Sequence, residues 1–589
     1  MENIKQNEHT RVLILYLIIS ALFAIFLLSV LSTILNNRAM PNKYAINSSR
    51  AYRGDIISAD GFHLARTKKL YKAVVNKRYI DPDKKELFIQ LFSIYSGIDA
   101  NQIRNKINSS KGVIVLSYKV TEKKAKYLKK LSYELRRLSV FKSIKNKKSG
   151  LLQIHGLNII ESGESRLYPY DDLLTPVIGY PNKMYDTDFT YVTGIKGLER
   201  KFNEELTARQ DGIKKGIRDV NGYIILNKDS QTKKPLNGLT LKLTIFTSLQ
   251  IKIERMLDSM KEQIQAKQIM LAIIDINSSN VLAIASSNRF SPKNIKRSDY
   301  SSLRPSMIEY SFEPGSVIKP VTMSLLLEKG LVTPYTLVNG HHGRFRIRNK
   351  IITDEHRFSW LSAENVIVHS SNIGIAQLAQ KLSGYDFHDG LIKFGFTKKS
   401  TPDLMSERVG SVPSSKRLDV DIYKATCAYG YGMKTNLMQL LRAYTVFNND
   451  GVMLTPRIVD YFIDSSKNMT IPTEWHEPIK VISKSTARKM KKILIKTVNE
   501  GTGRKTIIKG LEIGGKTGTA HLVEKRKYID KYNTSFIGFA NDKKSKYTIG
   551  VIVIQPKSSQ FASKTAVPVF KKTVELMIED GYLKPDVIK

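Results

Sequence analysis

The sequence predicts an α+β fold behind a single transmembrane helix. Three features predict it: a long uncharged apolar run near the start, a following region of short strands and basic amphipathic helices, and a last stretch of about 350 residues in which apolar strands bracket a set of helices. The strands of that last stretch are sequence neighbours at both of its ends. An antiparallel sheet packed with helices accounts for this order. At 589 residues the chain has room for two to four folded units, taking about 150 residues per domain.

Val12 to Leu35 holds 24 residues without a charge, about 36 Å as a helix against a bilayer core of roughly 30 Å. It can span with some tilt. Leu35-Asn36-Asn37-Arg38-Ala39 offers no small-residue cleavage site, so the run reads as an uncleaved anchor. Glu2 and Glu8 offset Lys5 and Arg11 before it, while Arg38, Lys43, Arg50 and Arg53 follow, so charge orients the span poorly. No second run of this length follows, which makes the chain single-pass with nearly all its mass on one side.

From Ala45 to about Gly238 short strands alternate with basic helices. In Thr121 to Lys148, apolar Ala125, Leu128, Leu131, Leu135 and Leu138 recur at helical spacing with Lys and Arg on the other faces. The basic side reads as a solvated face over a small core, not as an RNA or lipid surface. Lys233 to Gly238 reads as a linker. The division is therefore a tail at 1–11, an anchor at 12–35, an N-terminal region at 36–238 and a C-terminal domain at 239–589.

Within that domain Leu239 to Ile245 alternates as a strand and Leu249 to Gln265 reads as a helix. Ile269 to Ile276 and Val281 to Ala285 pair as a hairpin around Asn277-Ser278-Ser279-Asn280. Gly515 to Ala520, Ser535 to Phe539 and Tyr547 to Ile554 complete the sheet, and a helix from Val567 to Glu579 follows.

Composition narrows the class. Hydrophobic residues at 42% and charged ones at 25% exclude a mainly disordered or collagen-like chain. Lys and Arg number 94 against 53 Asp and Glu, a net +41 that favours anionic partners without choosing among nucleic acid, lipid headgroups and wall polymer. The lone Cys427 excludes an intrachain disulfide and a Cys-rich zinc site. Beside Ala425 and Ala428 it reads as a buried packing residue.

A nucleophilic serine needs a base within reach, and a helix sets residues i and i+3 on one face. Ser316-Val317-Ile318-Lys319 supplies that pair. Glu313-Pro314-Gly315 punctuates the chain just before it and Val321 to Leu327 continues as an apolar helix, which puts Ser316 at a helix N-terminus where free N–H groups favour negative charge. Pro320 has no N–H for the Ser316 carbonyl, so the first turn is expected to be irregular. The pattern alone is weak: Ser139 to Lys142, placed within the basic helix, and Ser230 to Lys233 match it too. Company distinguishes Ser316. Ser370-Ser371-Asn372 stands beside a helix from Ile373 to Leu382, and Lys516-Thr517-Gly518-Thr519 follows Gly514-Gly515.

Ser-x-x-Lys, Ser-x-Asn and Lys-Thr-Gly in this order resemble the signature of the penicillin-binding proteins and serine β-lactamases. Further blocks resemble the class B penicillin-binding proteins in particular: Arg53-Gly54-Asp55-Ile56 with Gly61 and Leu64-Ala65, Arg166-Leu167-Tyr168-Pro169, and Gly194-Ile195-Lys196-Gly197-Leu198-Glu199. So do Gly430-Tyr431-Gly432, Asn449-Asp450-Gly451, Gly501-Thr502-Gly503 and Ser535 to Ala540, and the likeness runs from about residue 50 to 575. Ser370-Ser371-Asn372 is similar to the division-type (FtsI-type) enzymes, whereas elongation-type enzymes of Gram-negative bacteria commonly have Asp where Asn372 stands. Four positions depart from the pattern: Ser58-Ala59 replaces the usual Asp-Arg, Phe246 a usual Asp and Asn288 a common Pro.

The resemblance implies an N-terminal pedestal (dimerisation-like) domain and a serine-type D-Ala-D-Ala transpeptidase domain. The enzyme would cross-link peptidoglycan stem peptides in septal wall synthesis and would be acylated by β-lactams. It makes Ser316 the nucleophile, Lys319 its base, Ser370 the proton relay to the leaving D-Ala, and Asn372 a partner of the donor's peptide amide. Lys516 supplies positive potential, and Thr517, Gly518 and Thr519 form the strand that holds the donor carboxylate. The Ser316 and Thr519 N–H groups form the oxyanion hole, and no metal or cofactor is required. Implied partners are donor and acceptor stem peptides, a SEDS-type glycosyltransferase and divisome proteins. The implied location is the bacterial inner membrane, N-terminus cytoplasmic and catalytic domain periplasmic.

Other readings compete. A class A β-lactamase needs a Glu-x-x-Leu-Asn string between Asn372 and Lys516, and none occurs. An elongation-type transpeptidase and a D-Ala carboxypeptidase remain as enzymatic alternatives. The net charge allows a basic nucleic-acid- or wall-polymer-binding membrane protein instead, yet Gly501 to Thr506 lacks the spacing of a phosphate loop and reads as a turn before a strand, so no specific nucleic acid is expected. His341-His342 has no third ligand at a recognisable spacing, so no metal site is expected there.

Overall fold

The computed structural model describes residues 2–35, 44–145, 152–154, 156–186, 189–219, 224–474, 476–524 and 527–586. The cleavage-site reading at 36–39, the charges Arg38 and Lys43, and Asn146 to Lys148 lie outside them. Glu2–Leu35 is one helix of 34 residues. From His9 onward it is long and apolar enough to cross a membrane, the one such helix among the described residues.

By internal contacts the chain forms two units, each assembled from several segments. The first takes Met1–Arg50, Lys68–Gly163 and Gln210–Pro235. Its core gathers Phe88 and Phe92 from the helix Lys85–Ser96, Ile103 and Ile107 from Ala100–Ser109, and Ala125, Leu128, Leu131 and Leu135 from Glu122–Arg137. The last of these is the expected amphipathic helix, but it stops at Arg137. Ser139 adopts a left-handed φ of 54°, which ends the helix and leaves Leu138 exposed instead of on the apolar face. Ser139 therefore lies beyond the basic helix, not within it. The expected linker is also structured: Gln231–Lys233 pairs with Gly212–Ile217, which pairs in turn with Tyr44–Ser49 in a three-stranded antiparallel sheet.

The second unit takes Ala51–Thr67, Glu164–Arg209 and Leu236–Lys589. Leu236 to Gly238 of the expected linker belong to this unit, with the Gly238 N–H donating to the Tyr52 carbonyl at 2.9 Å. Three sequence blocks far apart in the chain meet around Glu199, which is fully buried. Its carboxylate accepts from Arg53 Nε at 2.9 Å and Arg166 Nε at 2.6 Å, and the Arg53 guanidinium also donates to Asn203 Oδ1 at 2.9 Å. Burial alone would raise the Glu199 pKa, but the two guanidiniums overcome it and hold the carboxyl below its usual value. Glu199→Gln removes the carboxylate that the two buried guanidiniums share. It is expected to cost about 3–5 kcal/mol, read as a large fall in the midpoint of chemical unfolding.

A five-stranded sheet carries the rest of this unit. Its strands are β1 (Gln268–Asp275), β2 (Val281–Ser286), β3 (Glu512–Glu524), β4 (Lys527–Asn541) and β5 (Lys546–Ile554), ordered β2-β1-β5-β4-β3 with every neighbouring pair antiparallel. The sheet is sandwiched by helices, and β1 shows why its sequence is continuously apolar. Ile269, Leu271 and Ile273 enter one core while Met270, Ala272 and Ile274 enter the other. The helices α1 (Thr247–Ile264) and α6 (Ala566–Glu579) contribute Leu249, Ile253, Val567 and Phe570 to the first core. The second holds α2 (Lys319–Glu328), α3 (Asn372–Ala379), α4 (Leu437–Asn448) and α5 (Lys484–Glu500), with α4 buried along its whole length.

β3 and β4 run 13 and 15 residues, far past the expected Gly515 to Ala520 and Ser535 to Phe539. Their outer ends carry Glu524, Lys527, Asp530 and Lys531, which hides the hairpin from any reading of apolar alternation. The departure at Phe246 is compensated locally. Phe246 gives no side-chain cap to α1, and Asp60 accepts from the Thr247 and Ser248 N–H groups at 3.0 and 3.3 Å instead. Asn288 accepts from Lys261 Nζ at 2.8 Å and donates to the Lys267 carbonyl at 3.3 Å.

Candidate active site

Ser316 lies in a 3₁₀ turn, Gly315–Ile318, that runs directly into α2. Pro320 cannot donate to the Ser316 carbonyl, and the Lys319 N–H takes that acceptor in the tighter turn, as the sequence led us to expect. The buried Tyr444 hydroxyl of α4 donates to the Val317 carbonyl at 2.7 Å and fixes the turn from behind. On the other side the Gly315 N–H donates to the Gly430 carbonyl at 3.1 Å. A Cβ on Gly430 would sit 2.1 Å from the Gly315 carbonyl oxygen, and φ there is +94°, so only glycine fits.

The turn also lies against β3. A Cβ on Gly315 would come within 2.8 Å of the Thr519 carbonyl, and one on Gly518 within 2.9 Å of Val317. The first and third motifs are thus in contact. The second joins them through Lys319, whose Nζ donates to the Ser370 carbonyl at 2.6 Å, the Ser370 hydroxyl at 3.2 Å and Asn372 Oδ1 at 2.7 Å. Ser370 holds a left-handed φ of 58°, a strained backbone that turns its carbonyl and hydroxyl to one amine.

Lys319 and Lys516 are both fully buried. Desolvation pushes Lys319 down to about 7, with the Asp354 carboxylate working in the opposite direction. Near neutral pH it therefore exchanges between amine and ammonium. Desolvation and then the neighbouring Lys319 charge hold Lys516 well below the usual lysine value. The Lys516 Nζ reaches the Thr517 carbonyl at 3.0 Å and hydroxyl at 3.3 Å. Ser316, Ser370, Asn372 and Thr519 are half-buried, whereas the two lysine side chains beside them are fully buried.

This convergence of Ser-x-x-Lys, Ser-x-Asn and Lys-Thr-Gly coincides with what comparison finds. Residues 269–575 match the penicillin binding protein transpeptidase domain, and residues 48–243 the penicillin-binding protein dimerisation domain. The chain belongs to the class B penicillin-binding proteins. This penicillin-binding protein is 27% identical over 590 residues to a peptidoglycan D,D-transpeptidase FtsI of Buchnera aphidicola, covering 98% of this chain and 95% of the relative. It is 27% identical over 439 residues to the FtsI of Escherichia coli, covering 74% and 71%. Its fold matches the crystal structure of a peptidoglycan synthetase from Bifidobacterium adolescentis with a TM-score of 0.69 at 19% identity, covering 93% and 98%. It is accordingly an enzyme of the transpeptidase class.

The sequence reading assigned no role at the site to two groups in this penicillin-binding protein, Asp354 and Thr502. Asp354 ends the hairpin strand Lys350–Thr353 and caps α3: it accepts from the Asn372 and Ile373 N–H groups at 2.6 and 3.0 Å and from the Ser371 hydroxyl. Thr502 reaches the Thr517 hydroxyl at 2.7 Å from the turn after α5. Neither lies in a motif with chemical meaning of its own; only the folded chain brings them in. His341 stacks on Phe345 at 4.7 Å, and no group of three metal-ligating side chains occurs among the described residues. Cys427 is fully buried, its thiol pushed up to about 12.

Asp354→Asn should have two separable effects. Loss of the carboxylate cap loosens the start of α3, a change worth about 1 kcal/mol at a helix N-terminus. Loss of its charge lowers Lys319 further, so the neutral amine persists to lower pH. The acid limb of the pH profile for penicillin acylation then moves to lower pH, as stopped-flow labelling would record.

Proposed function

We propose that Ser316 is the acylated nucleophile of a peptidoglycan D,D-transpeptidase. The observation that carries the reading is the buried Lys319 amine, tied at once to Ser370 and Asn372 one turn from Ser316. Lys319 takes the Ser316 proton as the Oγ attacks the carbonyl of the penultimate D-Ala of a donor stem peptide. Ser370 passes a proton to the leaving D-Ala nitrogen, and Asn372 holds the donor's peptide amide. Lys516 donates to the Thr517 carbonyl and hydroxyl and holds that strand in place, while Thr517 and Thr519, with Gly518 between them, bind the terminal carboxylate. The Ser316 and Thr519 N–H groups receive the oxyanion, a contribution on the order of 10²–10³ in rate per donor in such sites. An amine of a neighbouring stem peptide then attacks the ester, forming the cross-link.

The FtsI-named relatives and the Ser-Ser-Asn form of the second motif support a septal role. We place residues 12–35 as the anchor and 36–238 as a pedestal, with the N-terminus cytoplasmic, the domain 239–589 periplasmic, and a SEDS-type glycosyltransferase and divisome proteins as partners. β-Lactams acylate Ser316 because they present the same carbonyl and carboxylate. The test is incubation of the detergent-solubilised chain with a donor ending in D-Ala-D-Ala and an amine acceptor. A cross-linked peptide is expected; free D-Ala with hydrolysed donor alone would make it a carboxypeptidase, and rapid release of opened penicillin a β-lactamase.

A further inference from the structure

At the end of the sheet beyond Thr519, where β1 begins and β5 ends, lies a cavity of about 950 Å³, within the size range of ligand sites. Its lining includes Lys267, Tyr532, Gln555, Lys557 and Gln560. The backbone of these walls is fixed: the Lys267 N–H donates to the Ile554 carbonyl at 2.9 Å and the Gln555 N–H to the Tyr532 carbonyl at 3.0 Å. Two contacts join the cavity to the motif strand. The Thr519 hydroxyl donates to the Gln560 carbonyl at 3.4 Å, and His521 lays its ring 4.4 Å from that of Tyr532.

The side chains give the cavity a sign. Among the described residues the ammonium groups of Lys267 and Lys557 and the amides of Gln555 and Gln560 make no side-chain hydrogen bond or ion pair. The acidic residue of the lining, Asp530, is engaged by the Tyr532 hydroxyl at 2.6 Å. A second cavity of about 460 Å³ shares Lys267 and Gln555 and adds Arg304 and Arg408 against one carboxylate, Glu309, so the cationic cleft continues along the sheet end. Free cations beside free amides suit a carboxylate on a peptide.

Transpeptidation needs two substrates, and the donor fills the cleft between Ser316, Asn372 and Thr517. The second must reach the ester along another wall. It is itself a stem peptide with a C-terminal carboxylate, and the cavity next to Thr519 offers the matching charge. We propose that this cavity binds the acceptor stem peptide, with Lys267 and Lys557 at its carboxylate and the glutamine amides at its peptide groups. The proposal rests on the transpeptidase reading above. The acceptor nitrogen adds to the ester carbonyl, the new C–N bond replaces the bond to Ser316 Oγ, and the proton lost by the amine returns to that oxygen.

The test uses the full chain in detergent with a synthetic stem pentapeptide bearing a free lysine amine, prepared with either a C-terminal carboxylate or a carboxamide. Lys267→Ala/Lys557→Ala is expected to raise the acceptor KM for the carboxylate form about tenfold, the scale of losing charged hydrogen bonds. The carboxamide form should show a high KM in wild type and little further change. Fluorescent-penicillin acylation, which reports the donor half alone, should proceed at the wild-type rate and verify folding. An unchanged acceptor KM, or equal effects on both acceptor forms, overturns the acceptor assignment while leaving the transpeptidase reading in place. Wild-type chain that takes up no penicillin overturns that reading, and this proposal with it.

Discussion

Ser316→Ala is expected to abolish covalent uptake of fluorescent penicillin and to reduce peptide cross-linking at least about 10⁴-fold, within the range seen when a serine nucleophile is removed. The hydroxyl sits half-buried in its 3₁₀ turn, and the turn is held by the Tyr444 and Gly430 contacts, not by the Ser316 side chain. The variant should therefore unfold within about 1 kcal/mol of wild type. Loss of labelling without loss of stability separates a missing nucleophile from a missing fold.

Lys319 carries the second large effect. Removing the amine in Lys319→Ala deletes the base and strips the Ser370 carbonyl and Asn372 Oδ1 of their common donor. Acylation should fall on the order of 10²–10⁴-fold, the usual contribution of a positioned base. Lys319→Arg should be no better, since a guanidinium stays protonated and cannot serve as the base. In the wild type, burial pushes Lys319 from the ordinary lysine value down to about 7. Its neutral fraction grows as pH rises through that value. The acylation rate is thus expected to climb along a single acid limb centred near pH 7 and then level off. Rates independent of pH between 6 and 8 would remove Lys319 from the role of base.

The chemistry was legible because it demands particular residue types in short strings, and each string could be read without knowing where it would land. Ser316-x-x-Lys319 even disclosed its distorted first turn, since Pro320 lacks a donor. The sheet was legible in its buried half. β1 and β2 lie close to their expected limits because apolar side chains fill both faces. The outer halves of β3 and β4 were not, because their ladder pairs exposed or half-buried residues such as His521 with Tyr532 and Glu524 with Lys527, which leave no trace in hydrophobic period. The helix ending at Arg137 shows the same limit, since a single left-handed residue at Ser139 decides it. The supporting groups were invisible for a further reason. Asp354 approaches α3 from a hairpin, Thr502 approaches Thr517 from a turn, and Asp60 caps α1 where Phe246 cannot. Each acts through tertiary contact, where identity at one position says nothing of the partner.

The central claim is that one serine, at the meeting point of three motifs, forms the acyl-enzyme. Mass mapping of the proteolysed penicillin adduct tests it most directly. A single penicilloyl mass on the peptide containing Ser316 is the predicted result. An adduct on Ser370 or on any peptide lacking Ser316 would contradict the account.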